Sequence, residues 1–365
     1  MSGLRVAMTV EQCWHRVPGG TAVAAIGMAR ALGERAGLDL VGVAARHARA
    51  APRDFRPPLP VRHLPLPRAA LYESWHRLRR PRVERATGPV DVVHATSIAM
   101  PPRSRPLVLT IHDLAFVRQP AHFTARGLRF FRRGLDLALS EADLVLCSSE
   151  ATRRDCEEAG FPPARLRLVP LGVDVRPASE ADVERVRRRY GLGRPYVLWT
   201  GTVEPRKNLP AVVAAMGRVG PEVELVVAGP RGWSEDLAAL VARAPKPVRA
   251  LGFVPGDDLR ALYAGARAFC WPTLLEGFGF PVLEAMAQGT PVVTSRGTST
   301  EELAGDAALL VDPRDEAAIG RALDAVLADG DLSARLARAG RERAARFTWA
   351  RCGRLVAQAY EDVAA

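Results

Sequence analysis

The stretch ARAFCWPTLLEGFGFPVLEAMAQGTPVVTS, residues 266–295, reads as one strand–helix–strand unit. ARAFC is a short apolar run suited to a strand buried on both faces, and LLEGFGF is a loop. Pro281 falls at a first-turn position, VLEAMAQ continues as helix, Gly289 is its expected stop, and PVVTS is the next strand. A helical crossover between two such runs predicts a parallel sheet.

The same pattern extends in both directions. LRVAMTV, DLVGVA, DVVHATS, PLVLTIHD, DLVLCSS and LRLVP are the candidate strands of the first half; YVLWTG, VELVVAG, VRALGFV, ARAFCWP, PVVTS and AALLVDP are those of the second. Helical stretches separate them, so the fold class is α/β, with two Rossmann-like doubly wound domains in series. A chain of 365 residues exceeds the size of one ordinary core. The linker is placed around Leu171–Arg194, where Gly172, Pro177, Gly191, Gly193 and Pro195 break both periodicities. The expected division is 1–175, 176–345, and a closing helix at 346–365 that packs back toward the first domain. No sequence repeat or low-complexity tract appears.

The net charge of +11 is unevenly spread. Residues 1–175 carry 26 Arg against 16 Asp and Glu, a net of +10, whereas residues 176–365 carry 25 basic and 24 acidic residues, a net of +1. Such a basic half attracts phosphorylated metabolites, anionic lipid or nucleic acid alike. Hydrophobic residues at 48% and charged residues at 25% exclude a disordered or fibrous chain. The five cysteines form no CxxC pair and read as reduced thiols. Neither a leader peptide nor an apolar run long enough to span a bilayer is evident, so the expected location is the cytoplasm.

Ligands of open α/β sheets bind beyond the C-terminal ends of strands. Two such places are rich in chemistry. In WTGTVEPRKNLP, residues 199–210, Gly201 permits a tight turn, and Arg206 and Lys207 stand before a helix, where cations are unfavourable without a bound anion. A solvated pair is the alternative. Lysine is otherwise rare, with only Lys207 and Lys246 among 51 basic residues. In the opening stretch, Gly277 and Gly279 allow close backbone approach to a ligand. Glu276 in the loop and Glu284 in the first helical turn supply acceptors for vicinal hydroxyls. Glu284 alone is better explained as a charge that complements the helix dipole; the whole arrangement is what points to a ligand.

Together, EGFGFPVLEAMAQGTPVV, the turn GTVEPRKN, STEELAGDAALLVDP (299–313) and TIHDLAF (110–116) resemble the family 4 retaining glycosyltransferases of the GT-B fold, in particular the mannosyltransferase-B-like branch. The resemblance spans nearly the whole chain. It implies two domains facing a central cleft and a nucleotide-diphosphate sugar as donor substrate, GDP-mannose favoured, with no cofactor and no metal. Glu276 would hold donor-sugar hydroxyls and Glu284 the ribose, and Arg206 and Lys207 would neutralise the departing diphosphate. Gly277, Phe278, Gly279 and Phe280 would line the donor, Gly19 and Gly20 would let the first domain's main chain approach, and His112 would face the anomeric carbon. With Glu276 and Lys207, His112 completes the implied catalytic set. The acceptor would be a glycan or glycolipid hydroxyl. Thr202 stands where many relatives carry Arg, which shifts the clamp onto Arg206 and Lys207, and VPGG replaces the Lys-x-Gly-Gly of glycogen synthases.

Rival readings are a sugar-nucleotide epimerase or hydrolase on the same fold, and a non-catalytic basic protein that binds nucleic acid or membrane. No aromatic-basic recognition module supports nucleic acid. His94 reads as structural, and Asp329-Gly330-Asp331 as a capped turn. The basic stretches at 68–87 and 123–139 read either as amphipathic helices with a solvated Arg face or as a dock for the inner face of an anionic membrane. Arg77, Arg79, Arg80 and Arg82 are the candidate contacts, since Pro81 interrupts the helix there.

Overall fold

The computed structural model describes residues 3–220, 222–230, 232 and 236–365. The chain forms two compact units. One comprises the residues up to Gly172 together with Thr348–Ala365, and the other Val173–Phe347. The chain thus changes unit at Gly172/Val173 and again at Phe347/Thr348, beside the expected 175/176 and 345/346.

The first unit is built on seven parallel strands: β1 (Leu4–Thr9), β2 (Leu38–Ala44), β3 (Val61–His63), β4 (Val92–Ala95), β5 (Leu107–Ile111), β6 (Leu144–Cys147) and β7 (Leu166–Leu168). Their spatial order is β3-β2-β1-β4-β5-β6-β7, with every pairing parallel. The central strands β4, β5 and β6 are buried at every residue, which is why they read as unbroken apolar runs. β3 was not among the expected strands: it is three residues long, lies at the sheet edge and is largely exposed, so it carries no periodicity to detect.

The closing helix, Trp349–Ala364, belongs to this first unit. It packs against the Gly19–Gly33 helix and against β4, β5 and β6. Two glycines make that approach possible. A Cβ on Gly27 would lie 2.3 Å from the Trp349 ring, and one on Gly353 would lie 2.8 Å from the Ala31 methyl. Tyr360 on this helix meets the buried His94 at 2.7 Å, and Thr110 meets its other ring nitrogen at 2.8 Å. With both nitrogens bonded and no exposure, His94 is structural.

The second unit has six parallel strands: β8 (Tyr196–Thr200), β9 (Glu224–Ala228), β10 (Val248–Gly252), β11 (Ala268–Trp271), β12 (Val292–Ser295) and β13 (Leu309–Val311). Their order is β10-β9-β8-β11-β12-β13. Trp199, Trp271, Tyr196 and Phe269 are fully buried in its core, each contributing about 1.5–3 kcal/mol by burial. In both sheets the strand order reverses once, between β1 and β4 and between β8 and β11, which is where doubly wound sheets open a crevice.

Asp329 caps the Gly330–Ala344 helix by accepting from Leu332 N–H at 3.0 Å. The opening stretch folds as strand, helix and strand, with the helix at Phe280–Ala287 and Pro in its first turn, but Glu284 is the fifth helical residue and falls beyond the first turn where it was expected, because the helix already begins at Phe280. It ends in a Schellman motif in which Gly289 at φ +73° donates to Met286 and Thr290 donates to Ala285.

Candidate functional site

In the second unit the residues of interest gather at the exits of β8 and β11, at the switch in strand order. Past Thr200 the chain turns at Gly201, whose φ of +130° suits glycine. Arg206 and Lys207 lie in a single 3-10 turn, Pro205–Lys207. Asn208 then adopts the left-handed conformation, and the next helix begins only at Leu209. The two cations therefore precede the helix rather than occupy its first turn. Leu274 N–H donates to Arg206 O at 2.8 Å, tying the β11 exit to the β8 exit. Asn208 donates to Pro272 O at 3.0 Å and to Pro313 O at 2.7 Å, which adds the β13 exit.

The loop between Thr273 and Gly279 is fastened from beneath by hydroxyls of β12 and the segment after it. Ser295 donates to Thr273 O at 2.6 Å, and Ser299 to Glu276 O at 2.7 Å and Phe278 O at 2.9 Å. Gly279 caps the Phe280–Ala287 helix at φ +114°, a conformation strained for any residue with a Cβ. Gly277, Phe278 and Phe280 thus flank a fixed backbone turn, and Phe278 packs edge-on to Phe280.

On this scaffold sits a charge cluster. The Arg206 guanidinium bridges two carboxylates, Glu276 at 3.0 Å and Glu204 at 2.8 Å. Lys207 approaches Glu204 at 3.7 Å and stands 5.8 Å over the Trp271 ring. Its side chain is only 14% exposed, and it lies across Gly201, where a Cβ would be 2.9 Å from Nζ. Burial lowers the Lys207 pKa, as does Arg206 beside it, while Glu276 and Glu204 act the other way. Glu284 accepts from the Tyr263 hydroxyl at 2.9 Å, and Tyr263 in turn pairs with Thr200 Oγ1 at 2.8 Å. Burial raises the Glu284 pKa, against the pull of Tyr263 and Lys207. Lys207 thus feels both Glu276 and Glu284. The arrangement pairs anionic acceptors for hydroxyls with a cation pair for a diphosphate.

Glu204, Tyr263 and Ser299 were not singled out from sequence. Glu204 lies inside the GTVEPRKN turn, but nothing in a lone acidic residue marks it as the partner of both cations. Tyr263 belongs to the Gly256–Gly265 helix, just outside the strand–helix–strand stretch, with no sequence signal tying it to Glu284.

In the first unit, Gly19 and Gly20 open the Gly19–Gly33 helix, with Gly19 at φ +59°. His112 follows β5 and donates from Nε2 to Thr96 O at 3.1 Å. Its own carbonyl accepts from Thr152 at 3.1 Å and Ser148 at 3.4 Å. Burial lowers its pKa, with Asp113 and the Thr96 bond opposing. A neutral ring that donates from Nε2 leaves an acceptor lone pair on Nδ1.

The four arginines proposed for a membrane separate. Arg79, in the left-handed conformation, donates to Trp75 O, Met100 O and Pro101 O and is bound to Glu141. It is withdrawn as a membrane contact because it is used within the fold. Arg77 is exposed and pairs with Glu73 one turn earlier. Arg80 and Arg82 line, with Arg79, Ser74, Glu84 and Arg85, an open cavity of about 740 Å³. In the second basic stretch the aromatics face inward, Phe130 stacking on His76 and Phe131 on Phe116.

The residues matched by known families complete the picture. Residues 18–176 match the family described as Glycosyltransferase Family 4, and residues 182–343 that described as Glycosyl transferases group 1. The chain is 34% identical over 281 residues to the O-antigen chain mannosyltransferase B of Escherichia coli, covering 74% of each. It is 31% identical over 341 residues to a D-inositol 3-phosphate glycosyltransferase of Acidothermus cellulolyticus, covering 84% of this chain and 74% of the relative. HepE of Anabaena, solved in complex with UDP and glucose, superposes with a TM-score of 0.78 at 20% identity, covering 98% of this chain and 100% of HepE. The paired doubly wound sheets are those of GT-B glycosyltransferases, and the chain belongs to glycosyltransferase family 4, with mannosyltransferase B among its relatives.

Proposed function

We propose that this protein transfers a hexosyl group, mannosyl foremost, from a nucleotide-diphosphate sugar to a hydroxyl of a glycan or glycolipid, with retention of configuration. The observation that carries this reading is the cluster of Glu204, Arg206, Lys207 and Glu276 at the β8 and β11 exits. A diphosphate arriving there exchanges one set of anionic partners for another on Arg206 and Lys207. Glu276, released from Arg206, then accepts hydrogen bonds from sugar hydroxyls, and Glu284 accepts them from the ribose. The mannosyl donor is favoured by the likeness to mannosyltransferase B. GDP-mannose is the donor we assign, and no cofactor enters the reaction.

In the transfer, the bond from the anomeric carbon to the phosphate oxygen breaks, and the acceptor hydroxyl oxygen bonds to the same face of that carbon. The hydroxyl proton passes to the departing phosphate, so no protein nucleophile is used. Arg206 and Lys207 stabilise the charge that develops on the leaving group. His112 is the first-unit residue to which we assign a part in the transfer, and Gly19 and Gly20 are those we assign to main-chain approach to the substrate.

The test is donor turnover in Lys207→Ala and Glu276→Gln, made separately. Removing one electrostatic stabiliser should reduce turnover about 10²–10³-fold, with the thermal midpoint little changed. Unchanged turnover in both variants would remove the proposal.

We assign the basic surface of the first unit to the inner face of an anionic membrane rather than to nucleic acid. Leu78 is 71% exposed beside Arg77, Arg80 and Arg82, and an apolar side chain among arginines suits a lipid interface. No helix of the described residues is long and apolar enough to cross a membrane.

A further inference from the structure

Beneath the charge cluster of the second unit runs a short chain of hydroxyls that the reading above leaves without a role. Thr200, the last residue of β8, is 3% exposed, and Tyr263 is 2% exposed. The Tyr263 hydroxyl donates to Glu284 Oε2 at 2.9 Å and meets Thr200 Oγ1 at 2.8 Å. A carboxylate can only accept, so the tyrosine proton is directed at Glu284 and Thr200 gives its own proton to the tyrosine oxygen. The chain has one direction, from Thr200 through Tyr263 to Glu284.

The first two members are held firmly. The Tyr263 ring packs edge-on to Phe269 of β11 with ring centres 5.3 Å apart. Its carbonyl accepts from Thr290 Oγ1 at 2.6 Å, and the carbonyl of Leu262 before it accepts from the Tyr196 hydroxyl of β8 at 2.7 Å. Thr200 O accepts from the Trp271 indole N–H at 2.8 Å.

Glu284 lacks such fastening of its own. It is partly exposed, and it lies beyond the first turn of its helix, where the pull of the macrodipole fades. Its side chain has several torsions, and ordering them on binding opposes affinity. Lys207 attracts the carboxylate by charge, which draws it without orienting it. The bond from Tyr263 is the one hydrogen bond its carboxylate makes among the described residues. A hydroxyl needed only to satisfy its own burial would be satisfied by Thr200 alone.

We propose that Tyr263, anchored by Thr200, is the positioning residue for Glu284: its hydroxyl holds Oε2 and so leaves Oε1 set to accept from a ribose hydroxyl of the donor nucleotide. This rests on the transferase reading above and adds the residues that order the ribose contact before the donor arrives.

The experiment is calorimetric titration of the full chain with GDP and UDP and with their dideoxyribose counterparts, whose ring lacks both hydroxyls. In Tyr263→Phe the affinity for the preferred ribonucleotide should fall about tenfold, the scale of one hydrogen bond to a charged group. Its dideoxy counterpart should bind the wild type more weakly and should change by under about twofold in the variant, as expected when the two sites act through one contact. In Glu284→Ala, adding Tyr263→Phe should cause no further loss. A merely structural tyrosine would weaken ribose and dideoxyribose ligands alike and would add its loss to that of Glu284→Ala; either result overturns the proposal, as does unchanged binding in Tyr263→Phe or equal wild-type affinity for the two sugars. If circular dichroism shows Tyr263→Phe unfolded, Thr200→Val takes its place, with a ribose-dependent loss of about threefold expected. A wild type that binds none of the four ligands means that the transferase reading has failed and this inference with it, whereas nucleotide binding without the ribose-dependent loss means that only the role of Tyr263 has failed.

Discussion

The two units share an architecture and differ in their buried chemistry. All seven histidines lie in the first unit and both lysines in the second. In the first unit the buried polar groups are mostly hydroxyls, amides and imidazoles: Thr9 with Thr96 at 3.2 Å, Gln12 with Thr96 at 2.6 Å, and His94 between Tyr360 and Thr110. In the second, hydroxyls are again numerous, but among the described residues the buried carboxylates Glu204, Glu224 and Asp258 each face an arginine, Arg206 at 2.8 Å, Arg249 at 3.6 Å and Arg185 at 2.6 Å.

Acid should break this symmetry with the largest effect. Burial holds His94 at about 3, and His76 and His15 at about 4, whereas the unfolded chain takes up these protons near 6.5. The unfolded state binds more protons below 6.5, so the stability these groups confer is complete above that pH and is lost as pH falls toward 4 and 3. The loss is on the order of several kcal/mol in sum. In the second unit Asp258, Asp174 and Asp182 are held below the usual carboxylate range, so their contributions survive to below pH 4. Glu284, raised by burial, protonates earlier in the folded chain and works in the opposite direction. Hydrogen exchange followed by mass spectrometry at pH 7 and 5 should show first-unit peptides losing protection first; earlier loss in the second unit would refute the contrast.

Gly201→Ala should have a smaller effect, confined to the second unit. A φ of +130° and a Cβ 2.9 Å from Lys207 Nζ should cost about 1–3 kcal/mol, read as a lower thermal midpoint with weaker donor binding. The smallest effect is expected on the basic surface. Replacing Arg80 and Arg82 by Glu should weaken cosedimentation with phosphatidylglycerol vesicles by about 1 kcal/mol per arginine removed, with no change on neutral vesicles. Equal binding to both vesicle types would remove the membrane assignment.

What was legible in the sequence followed from burial on two faces. β8 to β13 and six of the seven strands of the first sheet were read as apolar runs because no solvent-facing alternation dilutes them. β3 escaped because three residues between prolines show no pattern. The loop and helix after β11 were legible through Pro281 and Gly289, whose backbone demands are local. The pairing of Arg206 with Glu204 and Glu276, and of Glu284 with Tyr263, was not, because those partners meet only when strand exits come together. Arg79 misled for the same reason, its carbonyl partners being set by the fold.

The most direct measurement is a thermal-shift panel of GDP-, UDP- and ADP-sugars on the wild type and on Glu276→Gln. A donor that binds only the folded chain stabilises it by about 2.7 kcal/mol at one hundred times its Kd. GDP-mannose is predicted to raise the wild-type midpoint most, with the shift reduced in Glu276→Gln. No shift with any nucleotide sugar, or one of equal size in the variant, would contradict the assignment of this cluster as the donor site.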